Sequence, residues 1–271
     1  MFGMKAVLLA RGLGSRMRED GDAVLTTHQA AAAAAGSKGM MPINGARPFL
    51  DHVLSALADA ACTQACIIVA PDHRAIRDYY EGPGRPSRLT IAFAVQPIAD
   101  GTARAVQCAR EFAGADPFLV LNSDNLYAPA VLRALVDLGG PGLPAYERGT
   151  LVNESGFPPD RVTGFAAIEV DDHGYLIRIV EKPGREYYDA AGARALISMN
   201  AWRFDARIFD ACRDVPLSAR GEHELPEAVG LAMSRGVRFK TFRASGAVLD
   251  LSRRSDVALV SARLAGVEAR P

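Results

Sequence analysis

Lys5-Ala-Val-Leu-Leu-Ala-Arg-Gly-Leu-Gly-Ser-Arg-Met17, completed downstream by Ser37-Lys-Gly-Met-Met-Pro-Ile43, is the stretch from which this chain is best read. The run Ala6–Ala10 is apolar without alternation and ends at glycines, which predicts a strand buried on both faces. Gly12 and Gly14 let the backbone turn tightly and approach a ligand with no Cβ in the way. Arg16 and Lys38 add two cations where such a loop would present its N–H groups, a combination that suits a polyphosphate. The stretch fits neither of the two commonest phosphate loops. There is no G-x-x-x-x-G-K-[ST], and the dinucleotide fingerprint fails at its third glycine, where Met17 stands. On these residues alone, a structural strand–turn–helix carrying a chance arginine stays open.

Downstream, short apolar strands alternate with amphipathic helices. Phe49, Leu50, Val53, Leu54 and Leu57 fall on one helical face, with Pro48 suited to a first-turn position. Strands are expected over Cys66–Ala70, Thr90–Val95 and Pro117–Asn122, and helices over Asp72–Tyr80, Thr102–Phe112 and Pro129–Leu138. This alternation predicts an α/β fold with a mostly parallel sheet between helices on both faces, its ligands beyond the carboxyl ends of the strands. The second half changes character. Val162–Val170 and Tyr175–Glu181 flank the hairpin turn Asp171-Asp-His-Gly174, Leu196–Phe204 is strand-like, and Glu224–Arg235 and Arg254–Leu264 read as helices.

The bulk properties permit a binding or catalytic protein and exclude several other classes. The 271 residues, 49% hydrophobic, suffice for one large domain or for a domain with a small lobe. Lys plus Arg and Asp plus Glu both number 31, so no global field draws nucleic acid or an anionic membrane, and affinity for a charged ligand must be local. Cys62, Cys66, Cys108 and Cys212 lack zinc-type spacing and are too sparse for a disulfide scaffold. With no signal-peptide layout and no apolar run of membrane-spanning length, the expectation is a soluble cytoplasmic protein. No hexapeptide repeat appears, and no appended β-helix is expected.

The opening stretch resembles the L-A-x-G-x-G-x-R-[LM] … K-x-x-x-P signature of the sugar-1-phosphate nucleotidylyltransferases, and the resemblance continues in the family's order along nearly the whole chain. It implies a Rossmann-like nucleotidyltransferase fold with a mixed, mostly parallel central sheet in three α/β/α layers. The chain would then be a single domain over 1–271, with a nucleotide-binding half (1–140) and a sugar-phosphate-binding half (141–271). Leu9, Ala10, Gly12 and Gly14 would line the nucleotide. Gln96-Pro-Ile-Ala-Asp-Gly-Thr-Ala103 resembles the family's Q-x(4)-G-T-A segment. There Gln96 could pair with a base edge through both donor and acceptor, Gly101 would let the base lie close, and Thr102 could cap the next helix.

Asp124, in Leu121-Asn-Ser-Asp-Asn-Leu-Tyr127, matches the family's metal-binding aspartate, with Ser123 where a glycine is usual. Asp250, in Val248-Leu-Asp-Leu-Ser252, matches the second. Either alone is more often a turn or helix cap; two hard oxygen donors on one site suit Mg²⁺. Glu181-Lys-Pro183 resembles the segment whose glutamate bonds sugar hydroxyls and whose lysine, here Lys182, faces the sugar phosphate. Gly164 and Asn200 resemble the sugar-contacting glycine and asparagine. Arg220-Gly-Glu-His-Glu-Leu-Pro-Glu227 resembles a segment supplying a further glutamate, taken as Glu224, although acids at helix N-termini also serve the dipole.

The implied reaction joins an NTP and a sugar 1-phosphate into an NDP-sugar with release of pyrophosphate. Arg16 would neutralise the leaving pyrophosphate, Lys38 would hold the transferring group, and Lys182 would orient the sugar phosphate. Two alternatives are weighed against it. A regulatory paralogue that binds nucleotide sugars without turnover would typically lack a metal ligand or loop cation, and Arg16, Lys38, Asp124 and Asp250 are all present. A dinucleotide-dependent oxidoreductase is disfavoured by the missing third glycine. The nucleotide, the sugar or cyclitol, and the oligomeric state stay open, although relatives often form dimers or tetramers. Two further features depart from the family pattern. Arg11 replaces its usual Ala or Gly; it could add a contact to the base or a phosphate, with solvent slightly favoured, and the insertion carrying Ala30–Ala35 is expected to form an exposed helical excursion rather than a lid.

Overall fold

The computed structural model describes residues 3–12, 14–19, 23–45 and 47–271. Its strands in chain order are β1 (Met4–Leu9), β2 (Cys62–Val69), β3 (Thr90–Val95), β4 (Phe118–Asn122), β5 (Asn125–Tyr127), β6 (Gly142–Glu147), β7 (Ala166–Val170), β8 (Leu176–Val180), β9 (Leu196–Ser198), β10 (Trp202–Phe204), β11 (Lys240–Ala244) and β12 (Val248–Asp250). Ten of them form one mixed sheet in the order β3-β2-β1-β4-β10-β6-β9-β7-β8, with β11 added beside β6. The strands β3, β2, β1 and β4 are mutually parallel. Beyond β4 the pairings turn antiparallel, except for β6 with β11. The strands β5 and β12 pair separately as a two-stranded sheet.

The lack of alternation in the opening strand reflects burial on both faces. Ala6 and Leu8 enter one core while Val7 enters the other, as period-2 strand geometry requires. The strands β2 and β4 divide the same way, with Ile67 and Leu121 on the first face and Ile68 and Val120 on the second. The helix Phe49–Asp59 covers the first face with Leu50, Leu54 and Leu57. On the second face, the helix Arg207–Asp214 contributes Phe209, which stacks on Phe118 at 5.2 Å between ring centroids. Helices on both faces of the sheet make the three layers.

The structure refines several expected elements. Pro48 is the N-cap of its helix and not a first-turn residue. Leu196–Phe204 divides into β9 and β10 at Asn200, where φ is 58°, and the two halves run in the same direction on opposite sides of β6. The expected helix Thr102–Phe112 breaks into Thr102–Gln107 and Arg110–Ala113. Val162 closes a short helix, Pro159–Val162, so the strand begins only at Ala166. The alanine-rich stretch is a helix, Thr27–Ala35, with a reciprocal cap between Thr26 and Gln29; among its residues only Ala33 is buried. No helix among the described residues is long and apolar enough to cross a membrane.

Because Phe209 is fully buried and stacked, Phe209→Ala should cost about 3–5 kcal/mol. Urea unfolding followed through the single Trp202, which is itself buried, reads this directly. A loss below about 1 kcal/mol would contradict the packing described.

Candidate active site

The parallel strands β1, β3 and β4 deliver their carboxyl-terminal loops to one edge of the sheet, as doubly wound sheets do. A cavity of about 420 Å³ opens there. Its wall includes Leu9, Ala10, Gly12, Lys38, Gln96, Gly101, Thr102 and Asp124. Beside it lies a second cavity of about 500 Å³. That one is lined by Arg16, Asp124, Gly164, Glu181, Lys182, Asn200 and Asp250, together with Arg220. Asn122 and Asp124 belong to both walls, so the two cavities meet at the end of β4.

The loop after β1 is held in place by the alanine-rich insertion. Gly14 has a φ of 61°, and a Cβ there would lie 2.2 Å from the Gly36 carbonyl oxygen. A glycine is therefore required by the contact between two backbones. Gly36 ends the helix Thr27–Ala35 in a left-handed cap, and the chain then turns directly into Ser37 and Lys38. The insertion thus carries Lys38 to the cavity while its own body stays exposed. Gly12 has no atom within 4 Å of where its Cβ would be, so this position is open. At Gly101 the φ is 116° and a Cβ would lie 2.3 Å from the His223 carbonyl oxygen. Close packing on His223 therefore demands glycine here, whatever a base requires. Thr102 Oγ1 accepts from the Leu225 backbone N–H at 2.9 Å, so its side chain caps the helix Leu225–Ser234 rather than the one it begins.

The carboxylates meet through the small sheet. Asp250 pairs with Asn125 across β12 and β5, and the Leu251 N–H donates to the Asp124 carbonyl oxygen at 2.8 Å. Two residues 126 positions apart are thereby fixed side by side. Lys38 Nζ donates to Asp124 Oδ2 at 2.8 Å. Asp250 is bonded by Ser252 Oγ at 2.5 Å and paired with Arg161 at 3.1 Å. Arg161 in turn makes a two-pronged contact with Asp256. Burial and the neighbouring Asp124 charge push the Asp250 carboxyl up to about 6, despite the opposing pull of Arg161.

Among the described residues, Arg16 and Lys182 make no hydrogen bond or ion pair and are available to an anion. Lys182 and Asn200 both hold positive φ, 44° and 58°. For a lysine before a proline that backbone is strained, and such strain gathers at functional sites. Burial and the nearby Glu224 raise the Glu181 carboxyl, whereas bonds from Arg220 hold Glu224 low. Glu224 itself lines neither cavity: its carboxylate is taken by Arg220 at 2.5 and 2.9 Å and by Ser218 at 2.6 Å. Of the Arg220–Glu227 segment it is therefore Arg220 that reaches the second cavity, with Glu224 buried behind it. The sequence points to that segment through its glutamate, and the structure adds Arg220. Arg11, expected to face solvent, instead lines the first cavity, and its Nε donates to the Gln96 carbonyl oxygen at 3.4 Å.

Two mutually repelling carboxylates on one wall fit a hard divalent cation, which takes oxygen ligands and retains water or substrate oxygens in the rest of its shell. No cluster of three or more His, Cys, Asp or Glu side chains able to hold a metal occurs among the described residues. A cation at Asp124 and Asp250 would take its remaining ligands from neutral oxygens of the protein, from water or from substrate.

A model of the nucleotidyl transferase family matches residues 5–251. The chain belongs to the nucleotidyl transferase family. It is 28% identical to the low-salt glycan biosynthesis nucleotidyltransferase Agl11 of Haloferax volcanii, over 94% of this chain and 64% of that protein. It is 26% identical to the UTP–glucose-1-phosphate uridylyltransferase AglF of the same organism, over 93% of each. A glucose-1-phosphate thymidylyltransferase of an Actinoplanes species is 28% identical over 90% of this chain and 72% of its own. The chain spans only 46% of the bifunctional protein GlmU of Methanocaldococcus jannaschii. Among solved structures, a UDP-glucose pyrophosphorylase complexed with UDP-glucose superposes with a TM-score of 0.76 at 16% identity, covering 98% of this chain and 99% of that one. The UTP-bound UGPase from Acinetobacter baumannii gives 0.74 at 17%, covering 98% and 95%. At that identity the likeness establishes the fold.

The raised carboxyl of Asp250 has a consequence for stability. A carboxyl lifted in the folded state favours folding while protonated, so its contribution is complete below its ordinary value of 3.8 and is lost as pH rises through about 6. The ligand-free protein should therefore lose up to about 3 kcal/mol across that window, and Asp250→Asn should remove most of this slope. Urea unfolding of both proteins at a series of pH values tests it; parallel profiles would contradict the assignment.

Proposed function

We propose that this protein transfers a nucleotidyl group from an NTP to a sugar 1-phosphate, giving an NDP-sugar and pyrophosphate. The observation that carries this reading is the junction of two cavities at Asp124. One is floored by a glycine loop and flanked by Gln96 and Lys38; the other is lined by the cations Arg16, Lys182 and Arg220. A nucleotide in the first and a phosphorylated acceptor in the second would bring their phosphates together at the end of β4. The names of the relatives make UTP and dTTP the first donors to test and glucose 1-phosphate the first acceptor.

In the reaction, an anionic oxygen of the acceptor phosphate forms a bond to the α-phosphorus of the nucleotide. The bond from that phosphorus to the bridging oxygen breaks, and its electrons leave with pyrophosphate. The nucleophile is already ionised, so no side chain need take a proton. The difficulty lies in holding two anions together and in stabilising charge as it moves. Arg16 and Lys182, without partners among the described residues, neutralise the pyrophosphate and the acceptor phosphate. Lys38, now on Asp124, holds the transferring group once a ligand draws it away. Glu181 and Asn200 bond acceptor hydroxyls. Arg220 adds a third cation to the second cavity, held in place by the buried Glu224.

Mg²⁺ held by Asp124 and Asp250 would neutralise phosphate oxygens and polarise the phosphorus. Asp124 and Asp250 themselves would be released from Lys38 and from mutual repulsion. We place the reaction in the cytoplasm, where both substrates are made.

Pyrophosphate release from UTP, dTTP, GTP, CTP and ATP, each with a panel of sugar 1-phosphates and Mg²⁺, tests the proposal. Turnover is expected in at least one combination, and Lys38→Ala or Asp124→Asn should each reduce it by at least about 10²-fold. Near-unchanged turnover in either variant would overturn the assigned roles. Binding of nucleotide sugars with no turnover in any combination would favour a regulatory protein instead.

A further inference from the structure

The guanidinium of Arg11 is the unexplained group of the first cavity. Its Nη1 is buried and has no acceptor among the described residues, while its Nε reaches only the Gln96 carbonyl oxygen at 3.4 Å. Arginine carries donors alone, and a buried donor without an acceptor is costly. Some acceptor that the protein does not supply is therefore called for at this point.

Its position says what kind. Arg11 follows β1 but leans across β2 to the residue that follows β3, whereas Asp124 follows β4 on the other side of β1. The ends of β3 and β4 are three strand spacings apart, on the order of 14 Å. If the phosphates react at Asp124, the group facing Arg11 is the far end of the nucleotide, its base.

Gln96 supplies the complementary half of the site. Its Nε2 donates to the Asp100 carboxylate and to the Gly101 carbonyl, both at 3.0 Å. Neither partner can donate in return, so the orientation of the amide is fixed by its network. Oε1 is left with no protein donor among the described residues and is free to accept.

We propose that Arg11 reads the base. An exocyclic carbonyl oxygen accepts from the Arg11 guanidinium, and the adjacent ring N–H of the same base donates to Gln96 Oε1. Uracil, thymine and guanine each present a carbonyl beside a ring N–H. Adenine and cytosine place an amino group where that carbonyl would be, so donor meets donor and the buried guanidinium stays unsatisfied. The site thus selects oxo bases over amino bases, with Arg11 as a specificity-determining residue. This inference rests on the nucleotidyl-transfer reading of the cavity.

Calorimetric titration of the wild type, Arg11→Ala and Arg11→Met with UTP, dTTP, GTP, CTP and ATP tests it, with circular dichroism to confirm that each variant folds. The wild type should bind at least one of UTP, dTTP and GTP at least about tenfold more tightly than CTP or ATP. Either variant should weaken that binding about tenfold while changing CTP and ATP by less than about twofold, so that the gap closes. Which oxo nucleotide binds best separates a pyrimidine site from a purine site. Equal losses for all five nucleotides, as a phosphate contact or a structural role would give, overturn the proposal, as does no loss at all. If the wild type binds none of the five, the nucleotide-site reading itself fails, a result distinct from the failure of Arg11 alone.

Discussion

Asp124 and Asp250 repel each other, and most of the site is arranged around that repulsion. They are brought together by the pairing of β5 with β12, three residues each, and by one backbone bond from Leu251 to Asp124. Two buried like charges are unfavourable unless cations or protons offset them. Here Lys38 faces one carboxylate and Arg161 the other, while Asp256 and Ser252 fix the surroundings. The partial neutralisation explains how the site can exist without a ligand. It also explains what a ligand bearing phosphates and a divalent cation would find there: two carboxylates poised for a positive charge and two side-chain cations, Arg16 and Lys182, with no partner among the described residues.

The loops that carry these groups depend on close backbone contacts. Gly14 against Gly36 joins the loop after β1 to the insertion that ends at Lys38. Gly101 against His223 joins the loop after β3 to the segment that contains Arg220 and Glu224. Each contact links one side of the first cavity to another segment of the chain. Side chains of ordinary size at either glycine would have to push those elements apart, so the geometry of both cavities is coupled to packing well outside them.

Much of this was legible in the sequence because it lies in local patterns. The unalternating run Ala6–Ala10, the glycines after it and the strand before Asp124 were enough to give the parallel half of the sheet and the position of the first cavity. What escaped was non-local or disguised. Pro144 lies inside β6 and hides a strand that pairs with β9, β10 and β11. The strands β5 and β12 are too short to show a period, yet their pairing is what creates the carboxylate pair. Arg161 and Arg11 could not have been placed from their neighbours in sequence: the first is defined by its partners Asp250 and Asp256, the second by the carbonyl of Gln96. Arg220 was within a recognised segment, and only the buried pairing of Glu224 shows which of the two faces the cavity.

The central claim is that the acceptor phosphate in one cavity attacks the α-phosphorus of a nucleotide in the other directly, with no intermediate bonded to the protein. The stereochemical course at that phosphorus tests it most closely, using an α-thiotriphosphate of known chirality as donor and a sugar 1-phosphate as acceptor. A single in-line displacement predicts an NDP-sugar of inverted configuration. Retention would mean that the nucleotidyl group passes through a side chain of the protein, and the account of two cavities meeting at Asp124 would be contradicted.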